Sequence, residues 1–218
     1  MAIKFSKNEI LEMIENAKFD IRSFYKQDFV NYAGKTKDSK EYYTEIIAEW
    51  LLSHVDLFNK IKLINREGSY RIESHDGKII NQESNRAEEK IAMKLFDYSQ
   101  NKGEIFDKFG KIIDYQTPLK NIQTDDAGKI DLLAYNEDTD TLRILELKKS
   151  DSKETMLKCL LEVYTYLKIV NKVKLLKDFG LPKDTIVKAS PLVFFEGMQY
   201  KDCLLYTSDA ADDLLCVD

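Results

Sequence analysis

The chain has 218 residues, 44% of them hydrophobic and 33% charged, which is enough apolar material for one sizeable core. Three prolines and eight glycines leave little room for a long disordered linker, and no apolar run nears the roughly 20 residues of a membrane span. A formal charge of −5 argues at first against nucleic acid as a partner.

Residues 7–32 carry Ile10, Leu11, Ile14, Ala17, Ile21 and Phe24 at three- and four-residue spacing, which predicts one helix. Ser6 is its expected N-cap, and Glu9 completes a capping box. Tyr32-Ala-Gly34 closes that element, and a second helix follows Ser39 through Tyr42, Ile46, Ile47, Trp50 and Leu51. Ile61–Ile64 and Ser69–Glu73 read as short strands of a small hairpin around Arg66-Glu-Gly68. Residues 1–83 therefore form an N-terminal helical extension without a chemical motif, in which Trp50 and its aromatic neighbours are core. No secretory signal is expected, because Met1–Asn8 lacks an apolar stretch.

From Ser84 the pattern changes. Ser84 is expected to cap a helix running to about Gln100. Strands are expected over 111–117, 129–135 and 142–148, then a helix over 154–170 with Leu157, Leu160, Leu161, Tyr164 and Leu167 on its apolar face. Ile186–Phe195 is a last strand, and Pro191 makes it bent or an edge. The fold class is α/β (α+β), in the order helix, three strands, helix, strand. His54 and His75 stand alone and read as structural or exposed.

Chemistry concentrates in Gly128–Lys149. Two apolar strands flank the polar loop 136–141, and pairing Tyr135 with Leu142 sets Asp131 directly opposite Glu146. Such neighbours have Cβ atoms roughly 4.5–5.5 Å apart, and like charges there repel unless a cation intervenes. Alternation puts Lys148 on the face of Glu146 and turns Leu145, Leu147 and Lys149 away. Two carboxylates suffice for Mg²⁺, which keeps several waters. The ion polarises a phosphoryl oxygen and lowers the pKa of water. A nearby ammonium offsets charge developing on the phosphorane. An ordinary apolar hairpin with surface charges is the competing explanation, and the register and the element order weigh against it.

This stretch resembles the PD-(D/E)XK nuclease signature, with Asp131 as first acid, Glu146 as second and Lys148 as the lysine. Ile130 stands where the motif has proline. The resemblance spans residues 84–195 and implies a restriction-endonuclease-like core over 84–202. It also implies Mg²⁺ or Mn²⁺ as cofactor, and a nuclease, expected to be a cytoplasmic DNA endonuclease with no membrane partner. It further implies a metal-side glutamate on the first core helix. Glu88 points with Ile91, Ala92 and Leu95, while Glu89 lies at the edge; both acids equally suit helix-dipole stabilisation. Glu162 and Tyr166 occupy positions where relatives carry Gln and Tyr, although Lys158 and Glu162 could instead form a surface i,i+4 pair. Lys148, Lys149 and Lys153, with Lys168, Lys172, Lys174 and Lys177, offer weak support for phosphate contacts. A catalytically inactive nuclease-fold binding or regulatory protein is the alternative.

Residues 203–218 resemble translated sequencing-adapter read-through, so a non-native tail is expected, with the natural sequence breaking off near Asp202. Without the tail's four aspartates the formal charge rises from −5 to −1, which removes the objection to nucleic acid. Cys159 is then the one natural cysteine; the three cysteines show neither metal-ligand spacing nor a disulfide framework, as a reducing compartment would suit.

Overall fold

A computed structural model describes residues 4–78, 86–121 and 127–207, without the side chains of 202 and 204–207. The helices are α1 (Lys7–Ala17), α2 (Tyr43–Ser53), α3 (Ala87–Lys102), α4 (Met156–Ile169), α5 (Lys172–Asp178) and α6 (Met198–Thr207). The strands are β1 (Lys111–Pro118), β2 (Lys129–Asn136), β3 (Thr141–Leu147) and β4 (Ile186–Leu192). They form one mixed sheet in the order β1-β2-β3-β4, antiparallel except for the parallel β3–β4 pair, so the fold is α+β. Among the described residues no helix is long and apolar enough to cross a membrane.

The β2–β3 hairpin has the register the loop implied, with Tyr135 opposite Leu142, Leu133 opposite Ile144 and Leu132 opposite Leu145. Leu133 and Ile144 face a large cluster with α4 and the N-terminal elements, while Leu132, Ala134, Leu145 and Leu147 pack with Ala92 and Phe96 of α3. Each fully buried Leu or Ile here stabilises the fold by ~1.5–3 kcal/mol. Both faces of the sheet are thus covered, and Pro191 sits on the edge strand β4 opposite Glu146, where a missing N–H costs no inner ladder bond. Residues 10–64 share their buried cluster with the sheet and α4.

Several expectations need correction. The helix expected over 7–32 stops at Ala17 and gives way to 3-10 segments over 18–26 and 28–31. Its N-terminus is as expected, with Ser6 and Glu9 forming the capping box. The break is at Asp20, where non-helical backbone (φ −118°, ψ 69°) lets the side chain accept the Ser23 N–H and start a new turn. The hairpin over 61–73 is absent. Its backbone groups are used elsewhere: the Ile64 N–H donates to the Ile169 carbonyl, and the Tyr70 N–H to the Asp178 carboxylate. Ser84 lies outside the described residues, and α3 starts at Ala87.

The buried face of α4 also differs. Leu160 is exposed, whereas Cys159, Leu161, Val163, Tyr166 and Ile169 are buried. The helix packs on β3 and β4 on one side and on the 3-10 segments 18–26 and 28–31 on another, so two sides are covered rather than one stripe. Neither histidine is alone. His54 stacks on Trp50 with ring centroids 4.1 Å apart. His75 stacks on Tyr115, and its Nδ1 lies 2.6 Å from buried Asp114. Of the expected non-native tail, residues 203–207 extend α6 and the remainder lies outside the described residues.

Candidate active site

The end of β3, the start of β2, the first turn of α3 and the loop entering α4 enclose a cavity of about 980 Å³. Asp131, Glu146, Lys148, Glu88, Glu162, Tyr166 and Lys149 all line it; Glu89 does not, and pairs with Arg86 at 3.1 Å. The β2–β3 pairing ends at Leu132–Leu145, and Asp131 and Glu146 are the next residues along the two strands, both lining the cavity. Asp131 accepts two hydrogen bonds, at Oδ2 from the Leu147 N–H and at Oδ1 from the Gln116 amide, both at 2.9 Å.

Lys148 is held as the last rung of the β3–β4 ladder, its N–H donating to the Leu192 carbonyl at 3.0 Å. The residue is 4% exposed, and its ammonium meets Glu146 and Glu154 at 2.8 Å and Glu162 at 3.3 Å. Tyr166 donates its hydroxyl to the other oxygen of Glu162 at 2.9 Å. Glu88 accepts the Lys149 N–H at 3.1 Å, tying α3 to the turn after β3. Lys149 does not turn away as strand alternation implied. The strand ends at Leu147, and beyond it the chain turns along the cavity, with the Lys149 ammonium 3.2 Å from Asp151. Lys158 pairs with Glu154 and not with Glu162, because Glu162 faces inward to Lys148.

Three carboxylates, Glu146, Glu154 and Glu162, therefore contact one buried ammonium, and Asp131 adds a fourth carboxylate to the same cavity. Burial raises the Asp131 carboxyl to about 6, against the pull of the Leu147 N–H and Lys148. Burial also lifts Glu146 well above the ordinary range, reinforced by Asp131 and Glu162. Burial disfavours the Lys148 charge, but Glu146 and Glu162 outweigh it and hold the ammonium protonated. Glu154 is lowered: burial opposes its charge, and hydrogen bonds from Lys148 and Lys158 overcome that. Such an excess of buried acid is costly unless protons or a cation neutralise it.

That excess fits a hard divalent cation, with Asp131 and Glu146 as the oxygen donors and water completing the shell. Among the described residues, no three His, Cys, Asp or Glu side chains converge into a ready-made cage. The reason lies in the bonds above: Glu88 is turned to a backbone N–H, and Glu154 and Glu162 to Lys148.

Two participants leave no mark in the sequence pattern. Gln116 stands opposite Asp131 in the β1–β2 register with φ +49°, a conformation a non-glycine residue keeps only under constraint and one that gathers at functional sites. A bulge between Ile112 and Asp114 shifts this register, so sequence spacing could not place Gln116. Glu154 gave no signal, since it sits in an irregular loop ordered from outside. The neighbouring Thr155 N–H donates to Asn31, and its hydroxyl donates to the Val30 carbonyl.

Gly128 supplies a close approach. A Cβ there would lie 2.3 Å from the Tyr166 hydroxyl. Gly128→Ala should cost about 1–3 kcal/mol as Tyr166 is displaced from Glu162. Adding Tyr166→Phe should restore part of the loss, because the next ring atom is at 3.1 Å. Chemical denaturation of the single and double variants checks this, and equal stability of the two would refute the contact. Comparisons with protein-family models, curated proteins and solved structures gave no match.

Proposed function

We propose that this chain is a metal-dependent nuclease of the PD-(D/E)XK type, hydrolysing phosphodiester bonds, with DNA as its substrate and a restriction-endonuclease-like core. The carrying observation is that Asp131, Glu146 and Lys148 line one cavity, with the buried Lys148 ammonium 2.8 Å from Glu146. The order helix, three strands, two helices, strand over α3 to β4 supports the same reading. A bound Mg²⁺ or Mn²⁺ would supply Lewis-acid polarisation and a water of lowered pKa.

The chain's own residues do the rest. Gln116 and the Leu147 N–H fix both oxygens of Asp131, so its orientation does not depend on the ligand. Lys148 is charged and preorganised, and it offsets negative charge arising on a phosphorane. Glu154, Glu162 and Tyr166 hold that ammonium in place. Glu88 is a positioning residue that anchors the turn after β3. Cytoplasmic placement belongs to this same proposal.

The test is metal-dependent stabilisation joined to cleavage. Saturating Mn²⁺ or Mg²⁺ at about 100 Kd should stabilise the fold by ~2.7 kcal/mol. Plasmid, linear duplex, branched and single-stranded DNA should then be assayed beside RNA. No thermal shift and no cleavage of any form would overturn the proposal. A shift without cleavage would leave a metal-binding protein that is not a nuclease.

A further inference from the structure

A second cavity, of about 450 Å³, lies outside the candidate active site, between the 3-10 segment over 18–26 and the residues around Lys60. Lys18, Arg22, Lys60 and Lys62 line it, with Asp20 as the one acid among its lining residues. In a chain of net charge −5, this is a local reversal of sign. Lys18 shares its charge with Glu15 and sits 5.6 Å over the Phe19 ring. Lys60 and Lys62 are exposed and make no ion pair with a described residue.

The floor is apolar, from Ile21, Leu57 and Ile61, and at the rim Phe19 is 86% exposed. Its exposure follows from the kink at Asp20, which resets the helical phase. Ile21, Phe24 and Tyr25 turn into the core on one side of the kink, and Phe19 is left outside on the other. A phenyl ring held in water at the rim of a cation-lined cavity is a poor solution for stability alone.

We infer that this groove binds a single-stranded stretch of nucleic acid, its cations meeting phosphates and Phe19 stacking on a base. The choice of ligand rests on the nucleic-acid reading of the active site, and geometry joins the two. One nine-residue segment borders both cavities: Lys18–Arg22 line the groove, while Tyr25 and Lys26 line the site of Asp131 and Glu146. Ser23 and Phe24 separate Arg22 of the groove from Tyr25 of the site, a span of about 11 Å at most, which a single strand can cover. Cations tracking a backbone, with an aromatic face for a base, are what sequence-tolerant single-strand binding uses. An acidic peptide would satisfy the lysines and leave the exposed ring without a role.

The test measures binding without metal, so that it does not depend on cleavage. Fluorescence anisotropy of a labelled single-stranded oligodeoxynucleotide is followed against salt for wild type, Phe19→Ala and the Lys60→Glu/Lys62→Glu double variant. All altered groove side chains are exposed, and circular dichroism melts verify folding. The double variant should weaken binding at least ~10-fold and flatten the salt slope by about 1.4, because two phosphates are no longer neutralised. Phe19→Ala should weaken it roughly 5- to 100-fold, with no effect on binding of inorganic polyphosphate.

Unchanged affinity in both groove variants, or no binding by wild type, overturns the inference. A loss in the double variant without one in Phe19→Ala reduces the groove to a general polyanion surface and also overturns it. Cleavage by wild type in Mg²⁺ with unaltered groove variants leaves the nuclease standing and removes the groove. Groove-dependent binding without cleavage does the opposite.

Discussion

Lys148→Ala should lower stability by about 3–5 kcal/mol at neutral pH and slow single-turnover DNA cleavage at least ~100-fold. The ammonium is almost wholly buried and lies within 3.3 Å of Glu146, Glu154 and Glu162. Its removal leaves three carboxylates facing one another without a counter-charge. Breaking a buried pair from one side is far more damaging than replacing both partners. Mn²⁺ should restore part of the lost stability, since a divalent cation supplies the missing charge, and metal affinity should be unchanged or raised. Lys149→Ala is the control: its ammonium pairs with exposed Asp151, so a loss below ~1 kcal/mol and a mild rate effect are expected. Urea denaturation with and without Mn²⁺ checks the pair of variants. If Lys148→Ala were as stable as wild type in metal-free buffer, the ammonium would not be the charge centre of the site. If Lys149→Ala were the one that abolished cleavage, the assignment of the lysine would be wrong.

Asp131→Asn should abolish Mn²⁺ binding and cleavage, yet make the metal-free protein more stable at pH 7. The Asp131 carboxyl is raised from 3.8 to about 6, chiefly by burial. Between those values the folded chain holds a proton that the unfolded chain has released. Its contribution to stability is therefore complete below pH ~4 and is lost as pH rises through about 6. Above that window the ionised carboxylate is a net cost, at most ~3 kcal/mol for about two pKa units. Asparagine keeps an acceptor for the Leu147 N–H and carries no charge, so the cost disappears. The gain over wild type should be absent near pH ~4 and should grow to its full size by pH ~7. Melting curves across this range, with calorimetric titration of Mn²⁺, measure both effects. A variant less stable than wild type at pH 7 in metal-free buffer would show that burial does not strain this carboxylate. Undiminished Mn²⁺ binding would remove it from the metal site.

The sequence by itself determined what local rules can reach. The capping box at Ser6 and Glu9 follows from hydrogen bonds that span three residues. The pairing of Leu132–Asn136 with Thr141–Leu145 follows from a short loop that leaves one natural register, and two-residue alternation then puts Asp131, Glu146 and Lys148 on one cavity. Alternation failed for Lys149, because it holds only while the strand lasts and β3 ends at Leu147. Apolar periodicity misread 18–31, where the Asp20 side chain competes for the backbone, and 61–73, where short apolar runs have no neighbouring strand to pair with.

Only the tertiary structure decided how remote segments meet. Gln116 reaches Asp131 through a bulged pairing whose connection, 119–128, is too long to set a register. Glu154 and Glu162 converge on Lys148 because α4 is clamped between the sheet and the N-terminal elements, and His75 finds Asp114 across 39 residues. These contacts are fixed by packing and by the need to compensate buried charge, and neither leaves a period in the sequence.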